Sequence, residues 1–254
     1  NWETAVSGWE EVEDGVWQPI EYYWPVCAPD TGKVERNAPL PFASSSQIYS
    51  DVFYDTFESE KLDLAWNFRR FPTNVFFKLL PSKSKLRLYL NSAKFALRES
   101  YNLMGFRQKE SDFSYEAKMS FNPKNNLSEA GISIFQQDDN YLNFTLVLEE
   151  TQPKIVLNYQ ESGKEVSVLL KKEVKGYSGE IIFQIISKND RYQYAYSFDN
   201  GQSFQEFYAS DASLVLCKGY IGTNLGVYAT SASETTYDFV DFDWVKYNGA
   251  IRKN

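Results

Sequence analysis

The clearest pattern in this chain is the alternation of apolar and polar side chains between Phe113 and Phe121. Ala, Met and aromatic residues occupy every second position there, and Ser, Glu and Lys occupy the positions between them. Because successive side chains of a strand point to opposite faces of a sheet, the pattern predicts a strand with one apolar face. Such a face is stable only when another part of the protein covers it.

Two further segments continue this pattern after short polar breaks. Residues 130–135 and 142–148 are apolar at every even-numbered position. Three successive strands joined by short polar turns predict an antiparallel meander. The sequence contains no convincing amphipathic helix, so we expect a second sheet to cover the apolar face. The sequence therefore predicts an all-β fold, a two-sheet antiparallel β-sandwich.

The second half of the chain adds two alternating segments, 180–186 and 192–198, and a strong turn signal. Asp199, Asn200 and Gly201 follow the second of these segments. An Asn-Gly pair favours a type I′ turn, because both residues adopt positive φ at little cost. We therefore predict a β-hairpin at this position.

Composition and charge restrict the classes of partner. The 254 residues, 43% of them hydrophobic, suffice for one large sandwich with an appendage. A formal net charge of -8 argues against nucleic acid and anionic membrane surfaces as partners, because the average surface repels them. No apolar run reaches membrane-spanning length. A neutral ligand is compatible with this charge.

The residue types also restrict the chemistry. Histidine is absent from the sequence, which excludes imidazole metal ligands and mechanisms that need an imidazole base. The two cysteines, Cys27 and Cys217, form either one disulfide bond or two free thiols. Carboxylates, Tyr, Lys and Cys are the groups that could carry chemistry.

Residues 1–50 differ from the rest of the chain. Four of the six tryptophans occur there among Glu, Pro and Ser, and residues 37–46 form a Pro- and Ser-rich stretch typical of an extended linker. The segment is too small to fold alone. The first residues resemble neither a signal peptide nor a native start, so we expect a longer protein upstream. We place a domain boundary near Ser50.

Motifs on both sides of this boundary resemble family 43 glycoside hydrolases. Trp24-Pro-Val26 and Gly32-Lys-Val34 resemble the end of the five-bladed propeller in that family, with Tyr23 where the family has Gly. From Asp51 onward the chain resembles the C-terminal concanavalin A-like domain of family 43 β-xylosidases. The motifs that carry this resemblance are Asp55-Thr-Phe-Glu58, Leu62-Asp-Leu-Ala-Trp-Asn-Phe-Arg-Arg70, Lys85-Leu-Arg-Leu-Tyr-Leu90, Ser128-Glu-Ala-Gly-Ile-Ser-Ile-Phe-Gln136, Gly219-Tyr-Ile-Gly-Thr223 and Asp241-Phe-Asp-Trp-Val-Lys-Tyr247.

The resemblance implies a division into two regions. Residues 1–50 are expected to be a propeller-end remnant and linker, and residues 51–254 a concanavalin A-like β-sandwich of the jelly-roll class. The implied function is that of an accessory module of a β-xylosidase or α-L-arabinofuranosidase. Its implied partners are the propeller catalytic domain and a xylo- or arabino-oligosaccharide. The catalytic carboxylates of the family belong to the propeller, so no catalytic residue and no required cofactor is expected here.

In β-xylosidases of this type, the C-terminal domain is a lid that pushes an aromatic loop toward the mouth of the active site. The resemblance places that loop at residues 95–106, where charged residues interrupt apolar ones without a strand or helix period. Phe95, Tyr101 and Phe106 are the candidate rings for carbohydrate or interdomain contact. Arg107 completes the candidate set. Phe106 stands where the family segment Gly-Arg-Arg-Gln has its first Arg.

Carboxylates near the first and last predicted strands form a second candidate site. Asp241 and Asp243 lie on one face of a predicted strand at roughly 6 to 7 Å between Cα atoms, a spacing that does not exclude glycoside hydrolysis. Val245 takes the next position on that face, so a third acid is missing and a non-catalytic rim is the simpler interpretation. Asp55 and Asp241 could instead converge on a structural Ca²⁺, since first and last strands are neighbours in many sandwiches. Solvent-facing acids that bind nothing are the alternative.

Two other functions stay open from the sequence. A free-standing carbohydrate-binding module would show two or three coplanar exposed rings on one sheet face. A purely structural domain would stabilise an enzyme or its oligomer without contacting a ligand. The area that the domain buries against a partner would separate these alternatives.

Overall fold

The computed structural model describes residues 4–13 and 16–23 as backbone, and residues 52–70, 75–93, 95, 102–216, 222–232 and 236–249 with side chains. The chain divides into two compact units, Asn1–Tyr49 and Ser50–Asn254. In the first unit, β1 (Thr4–Glu13) and β2 (Val16–Tyr23) form an antiparallel two-stranded sheet. The identification of this unit as a propeller end remains a prediction from the resemblance.

Strands are the main regular elements in the described part of the second unit. They are β3 (Val52–Asp55), β4 (Asn67–Phe68), β5 (Phe77–Leu80), β6 (Lys85–Tyr89), β7 (Asn102–Arg107), β8 (Phe113–Phe121), β9 (Glu129–Gln137), β10 (Asn140–Glu149), β11 (Gln152–Gln160), β12 (Ser167–Glu173), β13 (Glu180–Lys188), β14 (Arg191–Ser197), β15 (Gln205–Asp211), β16 (Asn224–Thr230) and β17 (Phe239–Asn248). Two short 3-10 turns, Pro81–Lys83 and Ala212–Val215, accompany them. No helix in the described residues is long and apolar enough to cross a membrane.

The strands of the second unit form two antiparallel sheets. The seven-stranded sheet has the order β12-β11-β10-β9-β16-β7-β4. The eight-stranded sheet has the order β15-β14-β13-β8-β17-β6-β5, and β3 also pairs with β17. This arrangement confirms the predicted two-sheet antiparallel sandwich.

The core lies between the two sheets and follows the alternation seen in the sequence. In β8 the odd-numbered residues from Phe113 to Phe121 are buried, and the residues between them are partly exposed. Phe144 of the seven-stranded sheet meets Phe183 of the eight-stranded sheet with ring centroids 4.6 Å apart. Burial of large side chains from both sheets is the main favourable contribution to folding.

The hairpin predicted after residue 198 joins β14 to β15. Asn200 and Gly201 have φ values of 59° and 83°, the left-handed conformation expected of this pair. The Asp199 carboxylate accepts hydrogen bonds from Ser197 Oγ at 2.6 Å and from the Ser203 N–H at 3.0 Å. The side chain of Asp199 therefore stabilises the turn.

The predicted loop at residues 95–106 includes residues that form a strand. Asn102–Arg107 forms β7, which pairs with β16 on one side and with β4 on the other. The loop prediction is therefore wrong for these residues. The strand period was hidden because Leu103 and Met104 face opposite sides of the sheet and both are buried.

Candidate functional site

A second cluster of buried side chains lies on the outer face of the seven-stranded sheet. We call it the outer ring cluster, and its members are Phe95, Leu103, Phe135, Tyr141 and Tyr228. Ile134 points into the core between the sheets, so alternation turns its neighbour Phe135 to the outer face. The centroid of the Phe95 ring lies 5.3 Å from Phe135, 4.6 Å from Tyr141 and 4.7 Å from Tyr228. Three strands thereby fix the position of Phe95.

Two asparagines tie together the ends of residues 92–101, hereafter the 92–101 segment. Asn91 Nδ2 donates a 2.8 Å hydrogen bond to Asn102 Oδ1, and Asn102 Nδ2 donates to the backbone oxygen of Tyr89. The backbone oxygen of Asn91 accepts a 2.9 Å hydrogen bond from Thr230 Oγ1. Both ends of the segment are therefore attached to the sandwich.

Polar side chains beside the outer ring cluster are paired with one another, and most of them are buried. Ser133 Oγ donates a 2.7 Å hydrogen bond to Asn143 Oδ1, and Thr145 Oγ1 donates a 3.1 Å hydrogen bond to Glu129. A cavity of about 150 Å³ opens beside them, and the residues that line it include Phe95, Glu129, Tyr141, Asn143, Asn158 and Tyr228. Rings and hydrogen-bonding groups in one small space suit the binding of a polyol.

Burial keeps two phenols at this site protonated. Burial, together with the nearby Glu129 carboxylate, raises the pKa of Tyr228 well above its usual value of 10.0. The same two causes raise the pKa of Tyr141. Both phenols are therefore neutral hydrogen-bonding groups at physiological pH, which suits a role in binding rather than in proton transfer.

Two of the predicted contact rings are used within the domain's own packing. Phe95 is 1% exposed in the outer ring cluster. Phe106 is 3% exposed in the core between the sheets, with its ring centroid 5.1 Å from Phe53 and 5.4 Å from Tyr115. Neither ring is presented at the surface, since each fills space that other described rings enclose.

The other two predicted contact residues are Arg107 and Tyr101. Arg107, at the end of β7, is exposed, and its Nη1 donates a 2.6 Å hydrogen bond to the backbone oxygen of Gly222. Tyr101 lies outside the described residues, as do Cys27 and Cys217. Tyr101 therefore stays the predicted contact ring of the 92–101 segment.

Asp55 and Asp241 lie on paired strands, but their carboxyl groups have separate partners. β3 pairs with β17 so that Asp55 lies opposite Val245. Asp55 accepts a 2.8 Å hydrogen bond from Trp66 Nε1, whereas Asp241 accepts two hydrogen bonds from Arg87 at 2.7 and 2.8 Å. Within the described ranges, no group of three or more His, Cys, Asp or Glu side chains could hold a metal ion. The predicted structural Ca²⁺ gains no support from these contacts.

Asp243, the other acid of the predicted pair on β17, is also held by basic side chains. Its carboxylate contacts Lys85 Nζ and lies 3.4 Å from Lys118 Nζ. Asp241 is held by Arg87 in the same way. Both acids therefore take part in ion pairs between neighbouring strands, which argues against their action as a catalytic pair.

Sequence reasoning missed the buried polar groups of the seven-stranded sheet. Ser133, Asn143 and Thr145 occupy positions between apolar residues, which the alternating pattern assigns to a solvent-facing side. The structure buries all three on the face that carries the outer ring cluster. Phe135 and Tyr141 fall on that same side in the sequence. Two large rings on a side assigned to solvent are unusual, and they could have indicated that this face is covered.

Comparison with known proteins identifies the family of the sandwich. Residues 54–248 match the family model of the β-xylosidase C-terminal concanavalin A-like domain. The chain is 25% identical over 225 residues to the non-reducing end α-L-arabinofuranosidase BoGH43B of Bacteroides ovatus, covering 88% of this chain and 42% of that protein. It is 23% identical over 226 residues to a xylosidase/arabinosidase of Butyrivibrio fibrisolvens, covering 87% of this chain and 43% of that protein.

A solved structure of a family 43 protein also matches this chain. The GH43 protein BlXynB of Bacillus licheniformis matches with a TM-score of 0.71 and 25% identity, covering 92% of this chain and 46% of that one. The chain thus spans less than half the length of these relatives. The family match includes every strand of the sandwich except the first residues of β3. The chain therefore belongs to the C-terminal concanavalin A-like domains of β-xylosidases, the accessory domains of glycoside hydrolase family 43.

Proposed function

We propose that this domain shapes or caps the active site of a family 43 propeller catalytic domain that acts on xylo- or arabino-oligosaccharides. One observation carries the proposal, the hydrogen bond between Asn91 and Asn102 at the ends of the 92–101 segment. A segment with fixed ends can present a ring at a reproducible position. Tyr101, one residue before Asn102, is the ring that we assign to this contact.

The fixed ends matter because ordering a flexible segment on binding costs free energy. Asn102 is fully buried, and Phe95 packs against three rings of the outer ring cluster. Asn102 and Phe95 are already held in place in the absence of a partner. Less free energy is therefore needed to order the segment when it contacts the partner. Burial of one further ring at an interdomain mouth then contributes roughly 2 to 3 kcal/mol, which is enough to shape a subsite.

The class of ligand follows from the relatives and from the charge. Two of the relatives are named as an arabinofuranosidase and a xylosidase/arabinosidase. Neutral sugars of these kinds are compatible with a chain of net charge -8. We assign the hydrolytic step to the propeller, because the candidate acids Asp241 and Asp243 are held in ion pairs.

The test compares the hydrolase that carries this domain with its Tyr101→Ala variant. We expect an altered KM or an altered preference between xylobiose and xylotetraose, with a nearly unchanged melting temperature. Tyr237→Ala is the control, because this ring is 98% exposed and lies outside the 92–101 segment. A large loss of stability with unchanged kinetics would show that Tyr101 is a core residue, and the proposed contact would be wrong.

A second measurement asks whether the chain is an enzyme by itself. The purified 254-residue chain should not hydrolyse aryl-xylosides or aryl-arabinosides. Turnover that disappears in Asp241→Asn or Asp243→Asn would contradict the assignment of the chemistry to the propeller. Turnover that persists in both variants would point to a contaminating enzyme.

A further inference from the structure

A row of outward-facing side chains crosses the eight-stranded sheet at right angles to its strands. The strand register brings one residue of β3, β17, β8, β13, β14 and β15 into this transverse row. In that order they are Tyr54, Lys246, Glu116, Gln184, Ala195 and Glu206. Chain neighbours such as Val245, Ala117 and Phe183 are buried in the core, so alternation turns the row outward. Five strand spacings of about 4.8 Å give the row a length of about 24 Å.

Apolar side chains flank the transverse row. β13 carries Ile182 and Ile186 on the same face as Gln184, so this strand is apolar on both of its faces. The outer face of an antiparallel sheet is normally polar when only water covers it. At the end of the row formed by β3 and β17, the ring centroids of Tyr54 and Trp244 lie 6.2 Å apart at an interplanar angle of 64°. The outer face therefore combines rings and aliphatic groups with the polar row.

Two depressions follow the row, with volumes of about 460 and 560 Å³. Gln184 and Glu206 are among the residues that line the first, and Tyr54 and Trp244 are among those that line the second. Phe204 borders both of them. They therefore adjoin, and we call them together the transverse groove.

We propose that the transverse groove binds a neutral oligosaccharide laid across the strands. A pyranose ring has an apolar face that packs on aromatic rings and a rim of hydroxyls that needs donors and acceptors. Tyr54, Trp244 and Phe204 supply rings, and the side chains of Gln184 and Glu206 supply hydrogen-bonding groups. The groove is long enough for several sugar units.

The charges of the row select a neutral ligand. Lys246 and Glu116 are partners across neighbouring strands, and Gln184 Nε2 donates a 2.7 Å hydrogen bond to Glu116 Oε1. Glu206 adds a further negative charge, and the chain as a whole carries -8, so anionic polymers are repelled. Charged side chains in the middle of the groove also distinguish it from a protein interface, whose centre is depleted of charge.

The groove itself indicates only a neutral oligosaccharide. We choose xylan and arabinoxylan fragments as the sugars to test, and this choice rests on the proposed function. The two proposals are tested by different measurements. Binding to the 254-residue chain needs no catalytic domain, and the capping function is measured as turnover by the hydrolase. Failure of one is therefore distinguishable from failure of the other.

The experiment measures binding of xylohexaose and soluble arabinoxylan to the full chain by calorimetry and affinity electrophoresis. Tyr54→Ala and Gln184→Ala are the test variants, and Tyr237→Ala is the control because its ring is 98% exposed and does not line the groove. We expect each test variant to weaken binding about tenfold, as loss of one ring or amide contact predicts. The control should bind like the unaltered chain.

Thermal unfolding of each variant shows whether the fold is retained. Tyr54 is 56% exposed, so its replacement should leave the melting temperature nearly unchanged. Absence of binding by the unaltered chain would overturn the proposal, as would binding that neither test variant weakens. Equally strong binding of polygalacturonate would show that the groove does not select neutral polymers. A dimer that Tyr54→Ala dissociates would assign the groove to a second copy of the chain instead.

Discussion

The side chain of Asn91 donates a hydrogen bond to that of Asn102 at 2.8 Å, and this contact ties the two ends of the 92–101 segment. Asn102 is fully buried, and it also donates to the backbone oxygen of Tyr89. We predict that Asn102→Ala lowers the free energy of unfolding by roughly 1 to 3 kcal/mol, because it leaves buried partners without hydrogen bonds. Urea unfolding measures this loss.

The control for this prediction is Asn126→Ala. Asn126 Oδ1 accepts a hydrogen bond from the Glu150 N–H at an exposed site, so its loss should change the free energy of unfolding by less than about 0.5 kcal/mol. We also expect faster proteolysis between residues 92 and 101 in Asn102→Ala. Equal stabilities of the two variants would show that the contact between Asn91 and Asn102 does not hold the segment.

Phe95 should behave as a structural residue. Its ring is 1% exposed and packs edge-on against Tyr141, with an interplanar angle of 90°. We expect Phe95→Ala to lower the free energy of unfolding by about 3 kcal/mol, because it opens a space beside three rings. Val75→Ala is the comparison, since Val75 is 85% exposed. A loss in Phe95→Ala no larger than in Val75→Ala would contradict the burial of Phe95.

The ion pair between Arg87 and Asp241 should contribute measurably to stability. Asp241 accepts two hydrogen bonds from Arg87, and both side chains are mostly shielded from solvent. We predict that Asp241→Asn lowers the free energy of unfolding by roughly 1 to 3 kcal/mol. Arg191 and Asp211 form an exposed ion pair that serves as the control. Asp211→Asn should lower the free energy of unfolding by less than about 0.5 kcal/mol. A similar loss in both variants would argue against a special role for Asp241.

The sequence predicted the sandwich because one face of each strand in the meander is apolar. The odd-numbered residues of β8, and Leu142, Phe144 and Leu146 of β10, lie in the core, as the alternation indicated. The alternation failed at β7, where Leu103 and Met104 are both buried on opposite faces. A strand covered on both faces has no polar side to reveal its period. Phe106 was therefore assigned to a loop although it fills the core.

The candidate acids show a different limit of sequence reasoning. The sequence predicted that the first and last strands of the sandwich lie close together, and β3 does pair with β17. The partners of each carboxyl depend on strand register, which places Asp241 opposite Arg87 and Asp55 opposite Val245. The irregularity between Phe242 and Trp244 shifts the alternation of β17, so Val245 lies in the core, and the prediction that it shares a face with Asp241 and Asp243 is wrong. Even where alternation assigns the face of a side chain correctly, it does not fix the cross-strand neighbour. The transverse groove was missed for the same reason, since it exists only across six registered strands.

The turn at Asp199 should give the domain an acid-sensitive feature. Hydrogen bonds from the hydroxyls of Ser197 and Ser203 lower the pKa of Asp199 from 3.8 to about 2. A lowered pKa in the folded state means that the ionised group stabilises the fold above pH 4, and that this contribution is lost as the pH falls toward 2. We expect the NMR signal of the Asp199 carboxyl carbon to titrate near pH 2.

The variant Asp199→Asn tests the consequence of this titration. It should show a smaller change in melting temperature between pH 4 and pH 2 than the unaltered chain, because one titrating group has been removed. Ser203→Ala removes the hydroxyl donor to Asp199 Oδ2 and should shift the titration of Asp199 upward. Titration of Asp199 near its usual pH in the unaltered chain would contradict the hydrogen-bonded turn.

Gly131, within the motif from Ser128 to Gln136, should tolerate no side chain. A Cβ atom at Gly131 would lie 2.2 Å from the backbone oxygen of Phe144 and 2.7 Å from the Cα of Thr145, both on the paired strand β10. Backbone cannot move aside as a flexible side chain does, so Gly131→Ala must separate β9 from β10. We predict a loss of roughly 1 to 3 kcal/mol or more in the free energy of unfolding, measured in urea.

The control for Gly131 is Gly222→Ala, which makes the same chemical change at a permissive place. A Cβ atom at Gly222 would lie 3.0 Å from Arg107 Nη1, the end of a flexible side chain that can shift. That variant should lose less than about 0.5 kcal/mol. If both variants lose the same stability, the close approach of β10 does not explain the glycine at position 131. If only Gly131→Ala is destabilised, the glycine of the motif is required by the spacing of β9 and β10.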